Sequence, residues 1–171
     1  MSTLDLINPV RQFADGVLAK GRNLYGENPL IADGLDLKIG GGARVNVAAE
    51  VIDGAVLSNP ACQQRLFRML VGLSQVTGDP GYRDAAAAVM KYMFDVLSDK
   101  NGLFYWGGHV AFDLENNRVV TGKSGPHELK CHYPFYELMW DIDAGGTKRY
   151  VEAVWNAHIY NWEVLDFSRH G

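Results

Sequence analysis

The sequence predicts a mainly α-helical fold built from antiparallel helical hairpins, with one β-hairpin inserted among them. Two apolar stripes at helical spacing support this prediction, one ending near residue 77 and the other covering 80–97. Gly78-Asp79-Pro80 joins the two stripes, and so short a connection leaves room only for an antiparallel pair. At Asn101-Gly102 the apolar spacing changes from helical to strand-like, which places the β-hairpin after this pair.

The first sixty residues contain one clear helix and a glycine-rich stretch. Residues 3–20 place their apolar side chains on one helical face. Glycines interrupt residues 21–57, whose short apolar runs indicate either strands or loop anchors. Asn59-Pro60 combines an N-cap residue with a proline, so we expect the first hairpin helix to begin there.

The later elements follow from their turns and caps. Leu103–Phe112 and Arg118–Val120 flank the polar turn 115–117, which predicts the β-hairpin. Two further helices and an extended end are then expected: a helix over 134–143 ended by Gly145-Gly146, a helix over 148–160 capped by Thr147, and an extended segment over 161–171.

Helical hairpins with a Gly-Asp-x-x-Tyr joint, here residues 78–82, are typical of α/α toroids, in which inner and outer helices alternate around a cleft. A complete toroid needs on the order of a dozen helices, because each hairpin covers the apolar face of its neighbour. About five helices are expected here. Residues 1–171 are therefore interpreted as a single domain, either an incomplete N-terminal part of a toroid or a smaller helical bundle.

Composition and charge exclude several classes of function. Sixteen basic and 20 acidic residues give a net charge of −4, which speaks against nucleic acid as a partner. No apolar run approaches the length of a membrane span, so no membrane partner is expected. The first residues lack a basic and an apolar leader region and the chain has two cysteines, so we expect a cytoplasmic protein.

Side chains with useful chemistry concentrate after residue 100. All five histidines, all four tryptophans and 13 of the 19 aromatic residues lie there, which indicates a polar, aromatic cleft. His109, Glu128 and His170 stand on three separate predicted elements, and imidazole with carboxylate suits manganese, nickel, cobalt or zinc. The alternative is that all three residues are structural: His109 hydrogen-bonds the backbone, Glu128 caps a helix and His170 lies in a frayed chain end.

Three further features suit an acidic sugar. Arg169 offers a planar fork of donors that matches a carboxylate, although a surface arginine is the alternative. Aromatic rings such as Trp106, Tyr133 and Trp140 suit the C–H faces of sugars, although core packing is their usual role. Gly107-Gly108 permits the close approach of a ligand or of another backbone.

The segment 127–132 gathers four ionisable side chains, Lys130 among them. If the segment is helical, Glu128 and His132 share one face and chelate an ion within a single helix. The alternative is an amphipathic turn in solvent.

Three motifs occur in a characteristic order: Trp106-Gly-Gly-His109, then His127-Glu-Leu-Lys130 leading into 133–139, and finally Phe167-Ser-Arg-His-Gly171. Together they resemble the N-terminal part of polysaccharide lyase family 2, the pectate lyases with an α/α toroid fold. The resemblance covers the whole chain loosely and residues 105–171 most specifically.

The resemblance implies an enzyme that cleaves polygalacturonate by β-elimination with the help of a divalent transition ion, manganese before nickel, cobalt or zinc. It implies metal ligands at His109, Glu128 and His170 and the catalytic base at Arg169. The partner is then an acidic oligo- or polysaccharide. Contacts with it are expected from three aromatic residues and one lysine: Trp106, Tyr133, Trp140 and Lys130.

Two other classes of function stay open from the residues. One is another α/α-toroid carbohydrate enzyme, either a sugar epimerase or a glycoside hydrolase with Asp113 and Glu128 as its carboxylate pair. The other is a non-catalytic helical binding module in which the histidines and tryptophans only pack. If the chain is a fragment, its uncovered apolar faces predict self-association.

Overall fold

The computed structural model describes residues 3–22, 25–45, 54–121, 127–129 and 133–170. Five helices lie in these ranges: α1 (Thr3–Gly21), α2 (Gln64–Thr77), α3 (Pro80–Asp95), α4 (Tyr136–Ile142) and α5 (Ala144–His158). The strands in the same ranges are β1 (Leu35–Asp36), β2 (Gly41–Gly42), β3 (Arg44–Val45), β4 (Ala55–Ser58), β5 (Val110–Asp113), β6 (Arg118–Thr121), β7 (Ile159–Asn161) and β8 (Asp166–Phe167).

The predicted hairpin of α2 and α3 is present. Gly78 ends α2 in the left-handed conformation with a φ of 77°, and its N–H bonds the Ser74 carbonyl. Asp79 then caps α3 by accepting a hydrogen bond from the Gly81 N–H, with Pro80 in the first turn. The two helices pack against each other, and α4 packs on α3 and α5 on α4.

One apolar core joins the helices to the strand layer. Phe67 and Leu70 of α2, Met90 and Met93 of α3, and Tyr150 of α5 are all buried in it. Burying side chains of this size stabilises the fold by roughly 1.5–3 kcal/mol each. The core therefore fixes where α5, and the chain that follows it, can lie.

Short antiparallel sheets accompany the helices, so the part of the chain that the structure describes is a mixed helix and sheet arrangement. β3, β4, β5 and β6 form one sheet in that order, and β1–β2 and β7–β8 form two-stranded pairs. The predicted β-hairpin corresponds to β5 and β6, with Asn117 in its turn at a φ of 49°. None of the described helices combines the length and the apolar character that a membrane span requires.

Three expected boundaries are wrong. Residues 60–63 form a turn, closed by hydrogen bonds from Cys62 N–H to Asn59 O and from Gln63 N–H to Pro60 O, so the helix begins four residues later. Asp143, rather than Thr147, caps α5, and the glycines expected to end a helix lie inside its first turn. Residues 159–167 form the β7–β8 hairpin instead of a single extended run.

Candidate active site

Three chain segments meet at the candidate site. Segment 127–129 lies between segments 106–109 and 168–170. Trp106 bridges His127 in parallel and Glu128 bridges His170 in antiparallel fashion. The Glu128 N–H donates to the Trp106 carbonyl at 3.3 Å and the Leu129 N–H donates to the Arg169 carbonyl at 2.8 Å. The fold therefore brings together residues that are far apart in the sequence.

The first segment approaches the second through a glycine. Gly107 has a φ of 130°, and a Cβ there would clash with the Glu128 carbonyl oxygen and lie 2.9 Å from the Glu128 Cβ. The close approach expected of this glycine is therefore to another backbone. It sets Glu128 directly beside the turn that carries His109.

Asn59 holds that same glycine from the other side. Its Nδ2 donates to the Gly107 carbonyl at 2.6 Å, and its Oδ1 accepts from the Gly107 N–H at 3.4 Å. Asn59 is buried, and its backbone N–H donates to Asp33 Oδ1 at 2.9 Å. Sequence analysis missed this role, because the two partners are separated by 48 residues and share no local pattern.

The carboxylate of Glu128 lies at the centre of the site. Only 2% of its side chain is exposed, yet it faces two groups that can carry positive charge. Arg169 Nη1 lies 3.4 Å from Glu128 Oε1, and His109 Nε2 lies 3.8 Å from Glu128 Oε2. A buried carboxylate needs such partners, because burying a charge without them is costly. The outer groups remain open, with 57% of the Arg169 side chain exposed.

His170 completes the set of four predicted residues. Its Nε2 accepts a hydrogen bond from Arg169 Nε at 3.0 Å. Its Nδ1 is buried and has no hydrogen-bond partner among the described residues. Its backbone is held by hydrogen bonds from Tyr160 Oη to the His170 carbonyl and from the His170 N–H to Ser168 Oγ.

The donor set fits a transition ion in its chemistry, since two imidazoles and one carboxylate are borderline ligands. Two atoms that bind one ion at about 2.1 Å lie at most about 4.2 Å apart, and the His109 and Glu128 atoms satisfy this limit. In the described part of the chain, no three His, Cys, Asp or Glu side chains lie close enough together to hold an ion as they stand. The metal therefore stays a prediction.

Two histidines lie buried beneath the site. His127 Nδ1 is 2.9 Å from the Phe104 carbonyl, and His158 Nδ1 is 2.7 Å from the Ser168 carbonyl. Burial lowers the pKa of His127 to about 4, against the opposing effect of its hydrogen bond. Burial also lowers the pKa of His158. Both rings are therefore neutral at neutral pH.

The expected sugar contacts differ in where they lie. Trp106 is 3% exposed and packs against Phe104 and Tyr150, so it supports the site from beneath. Tyr133 is exposed beside the guanidinium of Arg68. Trp140 is exposed along a groove between α4 and α5. Lys130 lies outside the described residues.

The structure also bears on two other interpretations: an ion held within one helix by Glu128 and His132, and a carboxylate pair of Asp113 and Glu128. Residues 127–129 run extended between their neighbours, so Glu128 is not on a helix, and the proposed partner His132 lies outside the described residues. Asp113 is buried, and its carboxylate accepts hydrogen bonds from Glu115 and Asn116 in the β5–β6 turn. The Asp113 carboxylate therefore stabilises the β5–β6 turn.

Comparison with known proteins gives the family. The model of a family described as periplasmic pectate lyase matches residues 28–171. The chain is 34% identical over 170 residues to a pectate disaccharide-lyase of Dickeya dadantii (strain 3937), an alignment that covers 96% of the chain and 31% of that relative. The chain belongs to the periplasmic pectate lyase family, and it spans less than a third of the relative's length.

The family corrects the expected location. We expected a cytoplasmic protein, and the family is described as periplasmic. The expectation was wrong because it rested on absences: no leader pattern in the first residues and few cysteines. Neither absence measures where a protein acts.

Proposed function

We propose that this protein is a lyase that cleaves polygalacturonate by β-elimination, and that residues 1–171 form a single domain belonging to one arc of an α/α toroid. The observation that carries the proposal is the meeting of three residues from three segments. Arg169, Glu128 and His109 form a row with separations of 3.4 and 3.8 Å, inside the region that the family matches. The nitrogen groups of Arg169 and His109 flank the buried carboxylate of Glu128 and are accessible to solvent. Both groups can carry positive charge, which attracts an anionic substrate.

Arg169 is proposed as the base that takes the C5 proton of a galacturonate residue. Its exposure lets a substrate reach it, while Glu128 holds one end of the guanidine. As the proton moves to the guanidine, the C5–H electron pair passes into the uronate carboxylate as enolate-like negative charge. This pair forms the C4–C5 double bond as the C4–O4 bond breaks, and O4 leaves with the electrons of that bond and takes a proton from solvent. The guanidine must be neutral to accept this proton.

His109, Glu128 and His170 are the residues that would hold a divalent ion, for which manganese is proposed first, then nickel, cobalt or zinc. A bound ion would neutralise the uronate carboxylate and stabilise the negative charge that develops as the C5 proton leaves. Glu128 contributes the only carboxylate of the three, and its hydrogen-bonded backbone holds it in place. The substrate contacts are proposed at exposed Tyr133 and Trp140 and at Lys130.

The experiment compares Arg169→Lys with Arg83→Lys on polygalacturonate and follows the ultraviolet absorbance of the unsaturated product. Lysine keeps a basic nitrogen but loses the planar fork and moves the reacting nitrogen. A misplacement of about 1 Å can cost roughly a hundredfold in rate, so we expect Arg169→Lys to lose nearly all elimination. Arg83 forms an exposed pair with Asp141, and its substitution should leave the rate unchanged.

Two further measurements separate the proposal from its alternatives. Manganese affinity should persist in Arg169→Lys, because the expected ligands remain. Release of reducing sugar without the absorbance would indicate a hydrolase, and oligouronide binding with neither product would indicate a binding module. If Arg169→Lys eliminates at the wild-type rate, Arg169 is not the base.

A further inference from the structure

The proposed reaction does not use His158, which lies at the last position of α5 and is fully buried. Its Nδ1 lies 2.7 Å from the Ser168 carbonyl oxygen. A carbonyl only accepts, so Nδ1 carries the proton and Nε2 keeps a lone pair. Nε2 has no hydrogen-bond partner among the described residues. Among the described residues, the hydrogen bond to Ser168 is therefore the one that the ring makes.

His158 and Ser168 are linked twice. The imidazole donates to the Ser168 carbonyl at 2.7 Å, and the Ser168 N–H donates to the His158 carbonyl at 2.8 Å. One residue at the end of a helix thus satisfies both backbone polar groups of Ser168. The His158 ring also stacks on the neighbouring Phe167, with the ring centres 5.8 Å apart.

Ser168 immediately precedes Arg169, the proposed base, and His170, a proposed ligand of the ion. Its hydroxyl accepts a hydrogen bond from the His170 N–H at 3.1 Å. Arg169 between them is exposed, so its own side chain has little packing to hold it. The position of this turn depends on backbone hydrogen bonds, and the buried end of that network is His158.

We infer that His158 is a positioning residue, whose Nδ1–H holds the Ser168 carbonyl and thereby keeps the Arg169–His170 turn against Glu128. The inference rests on the proposed function only for the role of that turn in reaction and ion binding. His158 neither touches the substrate nor binds the ion. Through this side chain, the packing of α5, with buried residues such as Tyr150 and Ala153, then helps to position the site.

The test uses two variants of His158, one that keeps the N–H donor and one that keeps the aromatic ring. His158→Asn keeps an N–H donor near the position of Nδ1 and loses the ring. His158→Phe keeps the ring and its stacking on Phe167 but has no donor. If His158 acts by packing, His158→Phe should change exchange and ion affinity less than His158→Asn does. If it acts by its hydrogen bond, His158→Asn should change them less.

Two readouts are measured on both variants and on the unchanged protein. Amide hydrogen exchange over 166–170 should be about tenfold faster in His158→Phe and close to wild type in His158→Asn. Manganese affinity, measured by calorimetry, should fall by about 10–100-fold in His158→Phe, the usual effect of losing an outer hydrogen bond, and by much less in His158→Asn. Exchange and affinity that are equal in the two variants would overturn the inference.

The inference and the proposed function can fail separately. If the unchanged protein binds no manganese and forms no unsaturated product, the proposed function fails, and the exchange comparison still decides the role of His158. A long-range ¹H–¹⁵N correlation spectrum of the unchanged protein tests the inference without any variant. It should show His158 as the neutral Nδ1–H tautomer at neutral pH, and an Nε2–H tautomer would refute the hydrogen bond, whatever either variant does.

Discussion

Gly107 lies where the chain leaves the aromatic core for His109, at a φ of 130° and directly beside the Glu128 backbone. Gly107→Ala would place a Cβ against the Glu128 carbonyl in a conformation that L residues rarely adopt. Backbone strain and overpacking each cost about 1–3 kcal/mol, so we expect the free energy of unfolding to fall by about 3 kcal/mol. Urea denaturation measures this directly.

A second glycine provides the control. Gly72 lies in the middle of α2, and an added Cβ would meet nothing within 4 Å. Gly72→Ala should therefore raise the free energy of unfolding by about 0.5–1 kcal/mol, because alanine restricts the unfolded chain and favours a helix. A Gly107→Ala variant that is as stable as the wild type would mean that the close contact of Gly107 with Glu128 is absent in solution.

Asp33 provides a pH-dependent prediction. It lies in a groove of about 750 Å³ between α1 and α2, where its Oδ1 accepts hydrogen bonds from Asn59 and Gln63. Desolvation raises the pKa of Asp33 to about 6, against these hydrogen bonds, from 3.8. The folded protein thus binds this proton more tightly than the unfolded chain, so this group's contribution to stability falls as the pH rises from about 4 to 6.

Asp33→Asn keeps an acceptor at Oδ1 and removes the titration. The variant should therefore be more stable than the wild type at pH 7, with the advantage disappearing toward pH 4. We expect a modest difference, because Asp33 is exposed in the groove and solvent screens the effect of the shift in its pKa. Thermal or urea unfolding across this range measures it, and parallel stability curves for the two proteins would contradict the assignment.

At the scale of elements, α5 matters because it ends in His158. Its N-terminus is capped by Asp143, whose Oδ1 accepts from the Gly146 N–H at 2.7 Å. Asp143→Ala should lower the free energy of unfolding by about 1 kcal/mol, the usual effect of losing an N-cap. Asp141→Ala is the matched control: it removes only an exposed ion pair with Arg83 and should cost less than about 0.5 kcal/mol. Equal losses would show that Asp143 does not act as a cap.

Local signals were sufficient to locate the helices, but they did not fix every helix boundary and did not show what holds the site. The joint at residues 78–80 was predicted correctly, because a left-handed glycine, a cap and a proline act within four residues. Asn59-Pro60 has the same local appearance as a helix start. Its asparagine instead binds Gly107, a partner that only the folded chain brings near. Thr147 was expected to cap a helix over 148–160, but α5 begins at Ala144 and is capped by Asp143, which accepts from the Gly146 N–H.

At the scale of the whole molecule, the order of the motifs was more informative than any single element. The four predicted residues come together in contacting pairs, although they come from three distant segments. The sheets were largely missed, because strands of two to four residues leave no periodic pattern and form only by pairing across the chain.

The surface of the chain predicts its behaviour in solution. Trp155 of α5 and Trp162 of the β7–β8 hairpin stack with their ring centres 6.2 Å apart, and both residues are more than half exposed. Tyr160 and Phe167 of this hairpin are exposed as well. Exposed aromatic surface of this kind is typical of contact sites, and large aromatic residues contribute most of the binding energy there. We therefore expect the 171-residue chain to self-associate in a concentration-dependent way through this aromatic surface at the end of α5 and on the β7–β8 hairpin.

Sedimentation velocity across the micromolar range tests this expectation. The double substitution Trp155→Ser/Trp162→Ser should shift the chain toward monomer. Leu37→Ser/Ile39→Ser is the control, because these residues are even more exposed but aliphatic and lie on the separate turn between β1 and β2. Apolar association should persist in high salt, whereas association through exposed charges would weaken, because salt screens charges and does not weaken apolar contacts. A monomer at every concentration would show that the exposed tryptophans do not form a contact between chains. A shift toward monomer in Leu37→Ser/Ile39→Ser alone would show that the contact lies at the β1–β2 turn.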